Sequence, residues 1–421
     1  MKKYWRPALG CWLMWLAACT ALEHDLAAEV VDSGTKELKR CEVNGFAYQG
    51  LAQDIKKAPL KILMIHGVGT HYPGYSRLLQ EKLAAKLGLE VQSRLPKNIY
   101  LQNPVVPKVP IGNLRVTLWE SLDAQRQMLF YELTWSEITT PYKEIIAFDT
   151  TEQYAEFRVP FNNEMKAFLD NVLPDPMIYL VDRHDLILNS SRQALCWMLK
   201  TNWQNIPDKQ EQICNLSIEQ EVKFLADENI VFMTHSLGSE ILSDTLMVIA
   251  DKISDNEVTL RQSYKFSQAL AKLQNKEINL FMMANQLPIL KIDQPLPRVH
   301  NQIRDYCRIN GKKYAERLFK ATNFIAFSDP NDILSYSIPQ GFADKYIDSR
   351  VCPKVTNVSV NVAPEISAFG FGIVNPVTAH TYYERNPKVI DLMTQGTNGF
   401  AEDGFLSQQC RWVRLKDDKR L

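Results

Sequence analysis

Two hydrophobic rhythms alternate along the chain. Ile62-Leu63-Met64-Ile65 is an unbroken apolar run, as expected of a strand buried on both faces. Leu78, Leu79, Leu83 and Leu87 then recur at helical spacing, which predicts a helix over 75–87. Residues 116–119 and 128–135 read as two further strands, and 230–234 as another, leading into a largely buried helix over 239–250. Strands are also expected at 278–284 and 323–327. Val358-Ser359-Val360-Asn361-Val362 alternates with period two, which places it near a half-exposed sheet edge. Apolar runs alternating with helical patterns predict βα units, hence an α/β fold around a mostly parallel sheet flanked by helices. The interval from about 141 to 227 breaks the rhythm. It is helical in pattern and carries Tyr142, Phe148, Tyr154, Phe157, Phe161, Phe168, Trp197 and Trp203. An insertion this long between core strands is either a cap or lid or a structural helical layer.

The first residues read as an address. Lys2, Lys3 and Arg6 precede a short apolar run over 9–18, too short for the ~20 residues that span a bilayer but suited to a cleaved signal. Leu16-Ala17-Ala18-Cys19 resembles the bacterial lipobox. The resemblance implies a signal peptide over 1–18 and lipidation of Cys19, whose several acyl chains would anchor the protein stably. Thr20 follows instead of Asp, so the resemblance points to the outer membrane of a bacterial envelope. Residues 19–57 are expected to be a tether and N-terminal segment, and 58–421 the folded domain.

Composition narrows the classes. The 421 residues are 46% hydrophobic and 23% charged, an ordinary globular balance. Lys plus Arg and Asp plus Glu are 48 each, so no basic excess supports a nucleic-acid partner. The basic stretch Arg304, Arg308, Lys312, Lys313 and Arg317 reads as a solvated helix face. Beyond Cys11 and Cys19, the cysteines Cys41, Cys196, Cys214, Cys307, Cys352 and Cys410 allow three disulfides in about fifteen connectivities. They fit an oxidising compartment. No CxxC or Cys/His cluster at zinc spacing appears, so no metal is expected.

The candidate chemistry begins at Thr234-His235-Ser236-Leu237-Gly238, where a buried strand turns into a helix. A sharp turn lifts a serine hydroxyl above the sheet, where free N–H groups at the helix start stabilise negative charge. This is G-x-S-x-G with Thr234 replacing the first glycine, and a serine at such a turn is otherwise an N-cap. His66-Gly67-Val68-Gly69 follows the first strong strand and lacks the third glycine of a dinucleotide motif. His66 and His71 are read as shaping that loop. Ser328-Asp329-Pro330-Asn331-Asp332-Ile333 leaves a late strand, and His380 is the histidine that follows both aspartates. Serine, acid and histidine thus occur in triad order.

Together these windows resemble the α/β-hydrolase superfamily, in particular lipase- and esterase-like members, over roughly 59–395. The resemblance implies Ser236 as nucleophile, His380 as base and Asp332 as the acid, with Asp329 the alternative acid and otherwise a turn residue. It implies oxyanion donors at the amides of Val68 and Leu237. The implied activity is hydrolysis of carboxylic esters, with lipid or phospholipid esters favoured by the anchor, and no cofactor. The alternative is a membrane-anchored binding or scaffolding protein that keeps the fold without turnover.

Overall fold

The computed structural model describes residues 41–91, 95–181, 183–368, 371–401 and 405–414; the signal and Cys19 lie outside them. Among the described residues the strands are β1 (Cys41–Gly45), β2 (Leu60–Ile65), β3 (Glu90–Val91), β4 (Lys97–Gln102), β5 (Pro110–Glu120), β6 (Gln127–Thr134), β7 (Gln210–Gln212), β8 (Asn229–His235), β9 (Glu277–Met283), β10 (Ala321–Ser328), β11 (Pro353–Val360), β12 (Ile366–Ala368), β13 (Phe371–Ile373) and β14 (Arg411–Arg414). Twelve of these form one sheet in the order β14-β1-β11-β10-β9-β8-β2-β6-β5-β4-β7, with β3 added on β5. The run β6-β2-β8-β9-β10-β11 is parallel throughout. β5 is antiparallel to its neighbours β6 and β4.

Alternation explains why the central strands are continuously apolar. Successive side chains point to opposite faces, and Leu63 and Ile65 of β2 enter one core while Leu60, Ile62 and Met64 enter the other. The first core is closed by helices α4 (His184–Lys200), α5 (Ile218–Asp227), α6 (Gly238–Leu260) and α7 (Tyr264–Leu273). They follow α1 (Arg77–Leu87), α2 (Pro160–Val172) and α3 (Pro174–Leu180), and precede α8 (Pro376–Thr381) and α9 (Pro387–Gln395). The second core is closed by Leu79, Leu83 and Leu87 of α1 and by Val389, Ile390, Leu392 and Met393 of α9. The molecule is therefore a three-layer α/β structure.

One expectation is revised, and two others are made more definite. The strand expected near a sheet edge is β11, half-buried in pattern and third from one end, with β1 and β14 beyond it. Within the expected tether and N-terminal segment, Cys41–Gly45 forms β1, whose Val43 is buried in the sheet. The basic stretch is not one helical face. Its helix stops at Cys307, the chain doubles back at Gly311, and Arg317 is buried against the Tyr314 ring 3.6 Å from its centroid. A Cβ at Gly311 would fall 2.1 Å from the Asp305 carbonyl, so only glycine permits that turn.

The six cysteines pair as Cys41–Cys410, Cys196–Cys214 and Cys307–Cys352. The first spans 369 residues and ties β1 to the chain just before β14. The insertion is mainly helical, with β7 as a short strand alongside β4. Among the described residues no helix is long and apolar enough to cross a membrane.

Candidate active site

Strand order determines where a ligand is received. From β2 the chain moves away toward β6, whereas from β8 it moves the other way toward β9. Loops leaving two adjacent parallel strands in opposite directions open a crevice at their carboxyl ends, where α/β sheets bind ligands. The loop after β2 is His66-Gly67-Val68-Gly69, and the turn after β8 holds Ser236.

Ser236 has a positive φ of 52°, an unfavourable conformation for a residue with a Cβ. Its amide donates to the Met283 carbonyl at the end of β9 (2.9 Å), and its carbonyl accepts from the Ser239 hydroxyl (2.7 Å). Two close approaches complete the turn. A Cβ at Gly67 would lie 2.4 Å from Ser236 Cβ and 3.0 Å from its Oγ, so the glycine backbone rests on the serine itself. A Cβ at Gly238 would lie 2.4 Å from the Ile65 carbonyl oxygen, which explains a glycine where α6 begins against the end of β2. Thr234 is accommodated in the strand with no exposure, its hydroxyl without a partner among the described residues.

His380, on α8, and Asp332, on the loop after β10, are brought together. His380 Nδ1 lies 2.9 Å from both carboxylate oxygens of Asp332. The carboxylate also accepts from the Leu334 amide (3.0 Å) and from the Tyr383 hydroxyl (3.1 Å). Burial opposes ionisation of Asp332, but the His380 hydrogen bond and charge, with the Leu334 amide, hold its carboxyl below the ordinary value. With Nδ1–H donated to Asp332, Nε2 of His380 is left as the bare acceptor. Nε2 of His380 and Oγ of Ser236 are both buried and both lack a hydrogen-bond partner among the described residues.

His235 connects the two. Its Nε2 donates to the His380 carbonyl (2.8 Å), and the two rings meet edge-on at 5.1 Å. Burial, reinforced by the neighbouring His380, pushes the His235 imidazole down to about 3. It stays neutral beside His380. Asp329 faces elsewhere. It accepts from the amides of Asn331 (2.8 Å), Val362 (2.6 Å) and Ala363 (3.4 Å), so it fastens loop backbone and does not meet His380.

The loop after β2 is fixed from several sides. Trp135 donates its amide to His66 Nε2 and its indole N–H to the His66 carbonyl, both at 3.1 Å. Nε2 therefore accepts, and Nδ1–H donates to the Gly67 carbonyl (2.7 Å). The His66 ring is stacked between those of Trp135 and His71 at 4.6 and 4.1 Å. Burial, with His71 adding to it, holds His66 neutral. The insertion supplies further partners through Asn171 and Asp175. Among the described residues nothing accepts from the amides of Val68 or Leu237, which leaves both available as donors.

The insertion is also locked to α6. Tyr179 donates to Asp244 (2.7 Å), and Lys291 reaches both Glu240 (2.5 Å) and Asp244 (3.1 Å). Burial and the Asp244 charge raise Glu240 to about 7 against the pull of Lys291. At the far end of the sheet a cavity of about 300 Å³ is lined by Lys61, Trp203 and Glu228. Of its two lysines, Lys61 is committed to the Met198 and Thr201 carbonyls and to Glu228.

The sequence pattern singles out none of Tyr383, His235 and Asp175. His235 precedes Ser236 and Tyr383 follows His380 by three residues, but Asp175 acts across 106 positions and leaves no local signal. Comparison with protein-family models, with curated proteins and with solved structures finds no match to this chain.

Proposed function

We propose that the chain is a serine hydrolase of the α/β-hydrolase type that cleaves carboxylic esters through Ser236, His380 and Asp332. The observation that carries this reading is a serine on a left-handed strand-to-helix turn, next in sequence to a histidine that bonds the His380 carbonyl, with the buried His380 imidazole held at Nδ1 by the Asp332 carboxylate. His380 Nε2 removes the Ser236 proton as Oγ attacks the ester carbonyl carbon. Asp332 stabilises the imidazolium, and the amides of Val68 and Leu237 receive the oxyanion. His380 then protonates the leaving alcohol, and water, activated by the same histidine, releases the acid and frees Ser236. A movement must bring Oγ and Nε2 into contact, and apo geometry at such sites is often loose.

Lipid esters are the favoured substrates. Ile145, Phe148, Tyr154, Phe157, Val159, Leu169, Leu173, Met177 and Val181 of the insertion are all exposed. Tyr72, Ile289, Ile292, Ile333 and Tyr336, on the segments following the carboxyl ends of β2, β9 and β10, are exposed as well. A concentration of apolar side chains at that end suits an apolar substrate or surface. Ser236 has no exposed surface, so the reading gives the insertion the role of a lid. Lipidation at Cys19 would place the enzyme on the outer membrane, and the disulfides fit that oxidising setting.

A second reading, an anchored binding or scaffolding protein without turnover, draws on the missing hydrogen bond between Ser236 and His380. Hydrolysis of acyl esters of graded chain length, offered in solution and in vesicles, separates the two. The enzyme reading expects turnover that rises with presentation in a lipid surface and is lost in Ser236→Ala. Turnover in Ser236→Ala equal to wild type, or none in either protein, refutes it.

A further inference from the structure

We propose that Asp175, carried by the insertion, is a positioning residue for the oxyanion donor at Val68. The inference rests on the serine-hydrolase reading and extends it to a residue that touches neither substrate nor triad. Val68 lies between two glycines held in different ways. Gly67 is pressed onto Ser236, with no room for a Cβ. Gly69 has a φ of +95°, and its amide donates to Asp175 Oδ2 at 2.6 Å. The direction of the Val68 N–H is set between these two fixed points.

Asp175 is built for this contact at a cost. It has no exposure, and its other partner is Lys143 at 2.8 Å, itself about nine-tenths buried. Oδ1 of Asp175 has no hydrogen-bond partner among the described residues. A buried ion pair is weak as a source of stability, whereas a charged acceptor makes a strong, directional bond to a backbone amide. The next residue is held the same way: the Thr70 amide and hydroxyl both donate to Asn171 Oδ1, at 3.1 and 2.9 Å. Asn171 and Asp175 both belong to the insertion. The oxyanion site is therefore assembled only while the insertion is seated on the loop after β2.

The test compares wild type, Asp175→Ala and Asp175→Asn. Sites are first counted by complete fluorophosphonate titration, after which kcat per titrated site and KM are measured on a short soluble acyl ester. The Ki of an alkyl trifluoromethyl ketone, whose adduct puts an oxyanion in the hole, is measured in parallel. Asp175→Ala should lose ~10²-fold in kcat per site, the scale of a slightly misplaced catalytic group, at unchanged KM. Its Ki should rise by a similar factor. Asp175→Asn keeps an oxygen acceptor for Gly69 and should recover most of both. Should Asp175→Ala fail to fold, the double variant Asp175→Leu/Lys143→Leu removes both buried charges together, a change that often preserves stability, and carries the same expectation. Wild-type kcat per site and Ki in a folded variant lacking the acceptor overturn the inference while leaving the triad intact. Absence of fluorophosphonate reaction in wild type removes the hydrolase reading, and this inference with it.

Discussion

The two halves of the loop after β10 hold an aspartate each, and both side chains are buried, yet they face different partners. Asp329 is enclosed by backbone: amides from its own turn and from the chain after β11 take its carboxylate. Asp332 is turned toward a side chain that can change charge, the His380 imidazole. One hydroxyl touches both sites. Tyr383 accepts from the Asp329 amide (2.7 Å) and donates to the Asp332 carboxylate (3.1 Å). The same residue type, three positions apart, is in one case a fastener of backbone and in the other the partner of an imidazole. Burial alone does not distinguish them; the identity of the donor does.

The comparison is broken most directly by removing each charge. Asp332→Asn should lower kcat by ~10⁴, the scale known for a triad acid, with modest loss of stability. Asp329→Asn should leave kcat per titrated site about unchanged. Equal losses in steady-state kinetics would erase the distinction. Stability should show the reverse order. Asp329→Ala leaves one buried and two part-buried amides without their acceptor and should cost about 1–3 kcal/mol in denaturant unfolding. A smaller loss than for Asp332→Ala would contradict a structural role.

Tyr383→Phe tests the link between the two. It should lower kcat roughly 10-fold and cost ~1 kcal/mol of stability, since one hydroxyl serves both carboxylate and turn. The smallest effect concerns pH. The Asp332 carboxyl is depressed in the fold from an ordinary value of 3.8. Its ionised form therefore contributes stability that is complete above the unfolded value and is lost as pH falls through the folded one. The gap in melting temperature between wild type and Asp332→Asn should be constant near neutrality and shrink below about pH 4. A gap that widens on acidification would mean that the carboxyl is raised, not lowered.

Much of the sheet was legible because its central strands are buried on both faces and so spell out continuous apolar runs, as in β2 and β8. The edges were not. β1 and β14 are short, and β4 alternates irregularly, so none of the three stands out in the hydrophobic pattern. At the candidate site, chain order and the turn at Ser236 were visible because they depend on neighbours in sequence. The character of a few adjoining residues favours Asp332 over Asp329, and it is Asp332 that bonds His380. Asp175 and Lys143 were invisible, since a buried carboxylate 106 residues from the amide it holds leaves no periodic or local mark.

The central claim is that Ser236 is an activated nucleophile. It is tested most directly by treating the full chain with a fluorophosphonate, with and without detergent, and locating the adduct by peptide mass spectrometry. The account predicts modification at Ser236 in wild type, greatly slowed in His380→Ala and absent in Ser236→Ala. Modification at another serine, or at Ser236 with a rate indifferent to His380, would contradict it.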